Sequence, residues 1–214
     1  MTTTMSERVS SDRKLDKAMR RIVERLAPLH ARLCPRQVLG ARIGLYGAEL
    51  LGLELPRPDK RLLAIVETDG CFVDGVIAAT GCRVGRRTLR VIDHGKVAAT
   101  FVDVQTGRAV RARPRTGARR LACVYLPEAS DAWHAQLDAY QWMPTAELLE
   151  AESVELRTPL QELLGRAGIR VECSRCGEDV INDRRVQVAG QVLCRGCAGD
   201  AYFIQVERVH LFQG

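Results

Sequence analysis

The chain has 214 residues, 46% of them apolar and 27% charged, with a net charge of +6. That mix belongs to a folded globular protein and excludes a disordered or fibrous one; at this length about 70% of the unfolded surface can be buried, enough for one good core and a small second module. No apolar run approaches the ~20 residues of a membrane-spanning helix. The 8 cysteines are not preceded by an apolar signal segment, which points to a reducing, cytoplasmic compartment.

The opening MTTTMSERVSSDRK is polar, and residues 1–13 are expected to form a disordered tail. KLDKAMRRIVERLAPLH then places Leu15, Met19, Ile22, Val23 and Leu26 at helical spacing up to Pro28. In Cys34-Pro35 the cysteine suits the cap and the proline the first position of a second helix, whose Gly40, Gly44 and Gly47 allow close approach of a sheet or another helix. RLLAIVETD reads as a buried strand and CFVDGVIAAT as a short helix stopped by Gly81. RTLRVID and KVAATFVDV read as strands joined through His94-Gly95, and RAVRARP as a third after a QTG turn, so a meander is expected. A helix from Glu128 to Met143 carries Trp133 and Trp142, and Thr145 caps a further short helix through AELLEAE. This order predicts an α+β domain over residues 14–156, a linker over 157–170 and a small module over 171–214.

Cys173, Cys176, Cys194 and Cys197 form two CxxC pairs separated by 17 residues, the spacing of a structural zinc site built from two knuckles. Gly177 lets the backbone turn so that amides point at the sulfurs. VINDRRVQVAGQVL reads as a hairpin between the pairs, and LCRGCAGDAYF as the opening of a helix. A redox dithiol or a disulfide pair is the competing reading.

Other residues carry chemistry upstream. Cys34 sits at a helix start, where unpaired amides and the helix dipole favour thiolate. Cys71 and Asp74 open the next helix and Cys82 follows it. His30, Cys34, Cys71 and Cys82 can converge on a second metal; alternatively Cys71, Cys82 and Cys123 are small core residues. An enzyme would use Cys34 as nucleophile or redox thiol and Asp74 as acid/base partner, with arginines such as Arg83 and Arg86 holding an anionic substrate or cofactor. From Arg83 to Arg120 there are 11 Arg or Lys against Asp93 and Asp103, a block suited to a polyanion or to a solvated sheet face. The finger carries Glu178, Asp179 and Asp183 beside its few arginines, which argues against nucleic acid. His94 reads as a solvated turn residue.

The runs LHARLCPRQVLGARIG, TDGCFVDGVIAATGCRVG and IDHGKVAATF resemble the FmdE family, named from a protein associated with molybdenum formylmethanofuran dehydrogenase. The family pattern is matched at His30, Cys34, Pro35, Cys71, Asp74, Gly81, Cys82, Gly85, Asp93, Gly95 and Lys96. Arg32 stands where the pattern has a second histidine, Arg36 where it has glycine, Arg83 where it has threonine and Arg86-Arg87 where it has Lys-Gly. The resemblance implies a thioredoxin-like mixed sheet flanked by helices, a metal site in a cleft, a treble-clef zinc finger or zinc ribbon, and a homodimer. It also implies an accessory role beside a molybdenum, tungsten or one-carbon enzyme.

Overall fold

The computed structural model describes residues 17–29, 32–204 and 206. The chain divides into two compact units, Met1–Leu156 and Arg157–Gly214.

The first unit is built on a five-stranded mixed sheet of order β2-β1-β3-β4-β5, with β1 at Leu62–Val66, β2 at Leu89–Val91, β3 at Ala99–Asp103, β4 at Ala109–Pro114 and β5 at Leu149–Val154. β2 runs parallel to β1, and the remaining pairings are antiparallel. Helix α1 (residues 17–26) packs Met19, Ile22 and Leu26 into the core shared with α2 (Pro35–Leu51) and α3 (Cys71–Thr80). β1 is buried along its whole length, as a continuous LLAIV run inside a covered sheet requires.

Helices α2 and α3 meet backbone to backbone. A Cβ added at Gly40 would lie 2.1 Å from the Phe72 carbonyl oxygen, and one at Gly75 would lie 2.0 Å from that of Gln37. Later in both helices a Cβ at Gly44 would meet Ala79 at 3.1 Å, so the two run side by side in the same direction. Gly47 turns to the sheet, where the Phe101 ring of β3 fills the space a side chain would take. The expected close approach is therefore used twice, toward a helix and toward the sheet. At the other side of α2, the fully buried Arg42 donates to the carbonyls of Tyr140 at 2.6 Å and Met143 at 2.7 Å. These carbonyls lie at the end of α5 (Ala132–Trp142), where the last turn of a helix leaves carbonyls without helix partners. Burial pulls the Arg42 pKa down to about 10.

Three sequence expectations need correction. β2 and β3 do not form a hairpin; β1 lies between them, paired to each. The stretch AELLEAE is not one helix: α6 covers only Thr145–Leu148, capped by Pro144 rather than Thr145, and LEAESV is edge strand β5. There Glu150 stands opposite Arg113 and Glu152 opposite Arg111, cross-strand charge pairs that outweigh helix propensity. Finally, α4 (Ala118–Tyr125) follows β4 where no helix is expected.

In the second unit, α7 (Leu160–Leu164) occupies part of the expected linker. Two antiparallel hairpins follow: β6 (Arg170–Glu172) with β7 (Asp179–Ile181), and β8 (Val186–Val188) with β9 (Gln191–Leu193). The single hairpin expected between the cysteine pairs is thus divided, since β7 pairs back to β6. The expected helix after Cys194 is a five-residue wide turn, Gly196–Asp200, broken by Gly199 at φ 107°. Among the described residues no helix is long and apolar enough to cross a membrane.

Candidate metal centres

The turn of the first C-terminal hairpin carries Cys173 and Cys176, and the end of the second delivers Cys194 and Cys197. All four sulfurs lie within 4.8 Å of one another. A tetrahedral metal with ~2.3 Å bonds to sulfur holds its ligands ~3.8 Å apart, and Cys176 Sγ and Cys194 Sγ are 4.0 Å apart. The thiols are therefore already at ligand spacing for a metal such as zinc. The knuckle geometry follows from Gly177, whose φ of 75° turns its amide onto the Cys173 carbonyl at 2.9 Å. Around the buried Cys173 sulfur, amides converge; that of Cys194 donates at 3.2 Å. These backbone hydrogen bonds, from Cys176 and then Cys194, draw the Cys173 thiol down to about 6. The Cys197 thiol is pushed up to about 12, first by its hydrogen bond with the Cys194 thiol. Packed so closely, the four cannot all become thiolates without a cation between them.

A second gathering of groups lies in the first unit, at one edge of the sheet. β1 and β2 are parallel, and β4 runs the same way because both it and β1 pair antiparallel to β3, so the carboxyl ends of all three share that edge. Parallel strands commonly open binding crevices there. Cys34 caps α2 in an extended conformation, φ −125° and ψ 155°, as the following proline requires. Cys71 is the first residue of α3. Because the two helices run together from Gly40 and Gly75 back to their starts, the thiols are neighbours, and both are half-buried. Burial first, and then the hydrogen bond with the Cys34 thiol, pushes the Cys71 thiol up. Gln37 folds back so that its Oε1 accepts the Cys34 amide at 2.9 Å. Its Nε2 is buried without an acceptor, which leaves one enclosed donor beside the cysteine pair. Two neighbouring thiols suit a soft metal, and the amide donor suits a ligand bearing an acceptor atom.

The other proposed ligands divide. Asp74 is in the first turn of α3, half-buried near the pair. His30 lies outside the described residues. Cys82, Arg83 and Arg86 are not brought to this edge: the ten residues of α3, ~15 Å of helix, separate Cys71 from Gly81. Cys82 is 1% exposed, its thiol donating to the Leu62 carbonyl at 3.5 Å, so it is placed as a core residue. Arg86 donates to the Pro58 carbonyl at 2.6 Å. Cys123 is half-buried on α4 with its thiol on the Arg119 carbonyl.

Sequence reading missed Glu67. It follows β1 directly, and its carbonyl accepts the amides of His94 at 2.9 Å and Lys96 at 3.0 Å, pinning the loop that carries Asp93, Gly95 and Lys96. Its carboxylate takes a bidentate grip from Arg111 at 2.6 and 2.8 Å, and His94 Nδ1 lies 3.9 Å away. A carboxylate immediately after a buried strand was the available signal. The Arg111 guanidinium holds the Glu67 carboxyl below its usual range, and that of Arg61 does the same to Asp103. Both depressed carboxyls stabilise the fold fully above about pH 4, the unfolded value, and lose that contribution as pH falls through the folded ones. Glu67→Gln is therefore expected to cost about 2 kcal/mol at neutral pH and to flatten the acid limb of a stability-against-pH curve. An unchanged acid limb in urea titrations at several pH values would remove Glu67 from this role.

A family model described as FmdE, molybdenum formylmethanofuran dehydrogenase operon, matches residues 29–164. A curated relative from Archaeoglobus fulgidus, named "Probable S-adenosyl-L-methionine-binding protein", is 29% identical over 91% of this chain; the chain spans 57% of that protein's length. A crystal structure of a tungsten formylmethanofuran dehydrogenase FmdE-like protein from Syntrophus aciditrophicus superposes with a TM-score of 0.54 at 22% identity, covering 87% of this chain and 95% of that one. At that identity the likeness speaks for the fold. With the model match running from the first cysteine helix through the sheet, the chain belongs to the FmdE family.

Proposed function

We propose that this chain is a metal-binding accessory protein of a molybdenum, tungsten or one-carbon enzyme system. It holds a structural zinc on Cys173, Cys176, Cys194 and Cys197 and a second soft metal on Cys34 and Cys71 with His30. The observation that carries the reading is the meeting of Cys34 and Cys71 at two helix starts on the carboxyl edge of the sheet, both within the family pattern. Zinc in the C-terminal unit supplies folding energy. In the first unit the half-buried thiols, each at a helix start, favour a thiolate-binding metal. The family description supports a formylmethanofuran dehydrogenase context for the partner enzyme.

A second reading is favoured by Gln37. An enclosed amide donor beside a thiol also suits an enzyme in which Cys34 attacks, or exchanges electrons with, a small anionic substrate and Asp74 moves the proton. The name of the Archaeoglobus relative agrees with a small organic ligand, though S-adenosyl-L-methionine is a sulfonium cation and not an anion.

Thiol labelling separates these readings from a purely structural one. In metal-free protein at neutral pH, iodoacetamide with mass mapping should label Cys34 before Cys71, whose thiol is pushed up, and before the buried Cys82. Added zinc or cadmium should protect Cys34, and His30→Ala should weaken that protection. Protection by a small anion but not by metal would favour the enzyme reading. An inert Cys34 would make the thiol pair packing.

A further inference from the structure

Arginine side chains near the start of α4 are left without partners. Arg111 is held by Glu67 and Glu152, and Arg113 by Glu150. The side chains of Arg115, Arg119 and Arg120, by contrast, are exposed and make no hydrogen bond or ion pair among the described residues. Arg115 lines an open cavity of about 480 Å³ whose wall includes the apolar Ala118, Leu121 and Ala146. Arg120 reaches the same place: its Nη2 would lie 3.7 Å from a Cβ at Gly117, another lining residue. On the far wall Glu147 accepts the Tyr125 hydroxyl at 2.7 Å, and the Tyr125 ring meets Trp142 edge to face at 5.1 Å. Trp142 is 50% exposed, and Val124, one turn beyond Arg120 on the same helical stripe, is 72% exposed. Arg115, Arg120, Val124, the Tyr125–Trp142 pair and the apolar hollow gather on the Leu121 side of α4, while Arg119 points round the helix toward Tyr140; arginine, aromatic rings and an apolar hollow are the composition in which protein interfaces concentrate their binding energy.

We infer that this α4 surface docks an acidic segment of another protein, placing an apolar side chain in the cavity and carboxylates on Arg115 and Arg120. Charge complementarity selects that occupant. A second copy of this chain, itself of net charge +6, would bring a basic partner to a basic patch. Nucleic acid would leave the apolar wall without a use. The inference goes beyond the metal-site reading and stands whether or not that reading holds.

The test uses the full chain and a fluorescein-labelled peptide of glutamates flanking one leucine, with an all-glutamate peptide and poly-U as comparators, read by anisotropy. The leucine peptide should bind about tenfold more tightly than the all-glutamate one, because only it fills the cavity. The double variant R115E/R120E should weaken that binding about tenfold or more. Its unfolding midpoint should not move, since neither side chain has a partner to lose. Equal affinity for the two peptides, tighter binding of poly-U, no binding of any probe, or full binding by the double variant would each overturn the inference.

Discussion

Replacing Cys173 or Cys194 by serine will release one zinc per chain and unfold the C-terminal unit while leaving the first unit folded. The reason is the size of the second core: among described residues it is the buried Cys173, Val180 and Leu193, with Val171, Cys194, Cys197 and Ala198 packed against them. Two short hairpins with so little apolar burial do not fold alone, and metal binding to a four-thiolate site supplies about 10 kcal/mol or more of folding free energy. The first unit has its own core of strands and helices and no ligand in this site. Elemental analysis with limited proteolysis checks the result. A variant that keeps its full zinc and its protease resistance would show that the four thiols are not the metal's ligands.

Gly75→Ala will damage the first unit more than an exposed helical Gly→Ala, which usually stabilises. The added methyl would lie 2.0 Å from the Gln37 carbonyl oxygen and 2.8 Å from the Ala41 amide nitrogen, backbone atoms that no rotamer change can move. Helices α2 and α3 must separate, at a cost of about 3 kcal/mol, which in a chain of this size lowers the melting temperature by about 6–12 °C. The same separation parts Cys34 from Cys71, so metal protection of Cys34 should fall even where the variant remains folded. A melting temperature equal to that of the parent would refute the close crossing.

The elements that could be read from the residues are those whose signals are local. Cys34-Pro35 marks the start of α2, and Gly81 closes α3 in the left-handed conformation expected of it. The CxxC pairs mark the knuckles because ligand spacing is itself a local property. What was misread depends on distant partners. LEAESV is built of helix formers and becomes β5 because β4 offers Arg111 and Arg113 opposite its glutamates. β2 and β3 adjoin in sequence, yet the α3 crossover places β1 between them.

The upstream site follows the same division. Cys34 and Cys71 are recognisable as helix-start thiols, but their meeting depends on Gly40 and Gly75 facing each other across a helix crossing that no single segment encodes. Cys82, in the same family motif as Cys71, is carried away by the length of α3. Glu67 organises the neighbouring loop largely through its backbone carbonyl, which no side-chain motif reveals.

The proposed function has the chain hold two metals at separate sites. Metal content of the full chain, purified without added metal and after dialysis, tests it most directly. Two equivalents per chain are expected, with Cys34→Ser losing one, Cys173→Ser losing the other, and neither variant disturbing the remaining site. A single equivalent that survives Cys34→Ser and disappears with Cys173→Ser would contradict it.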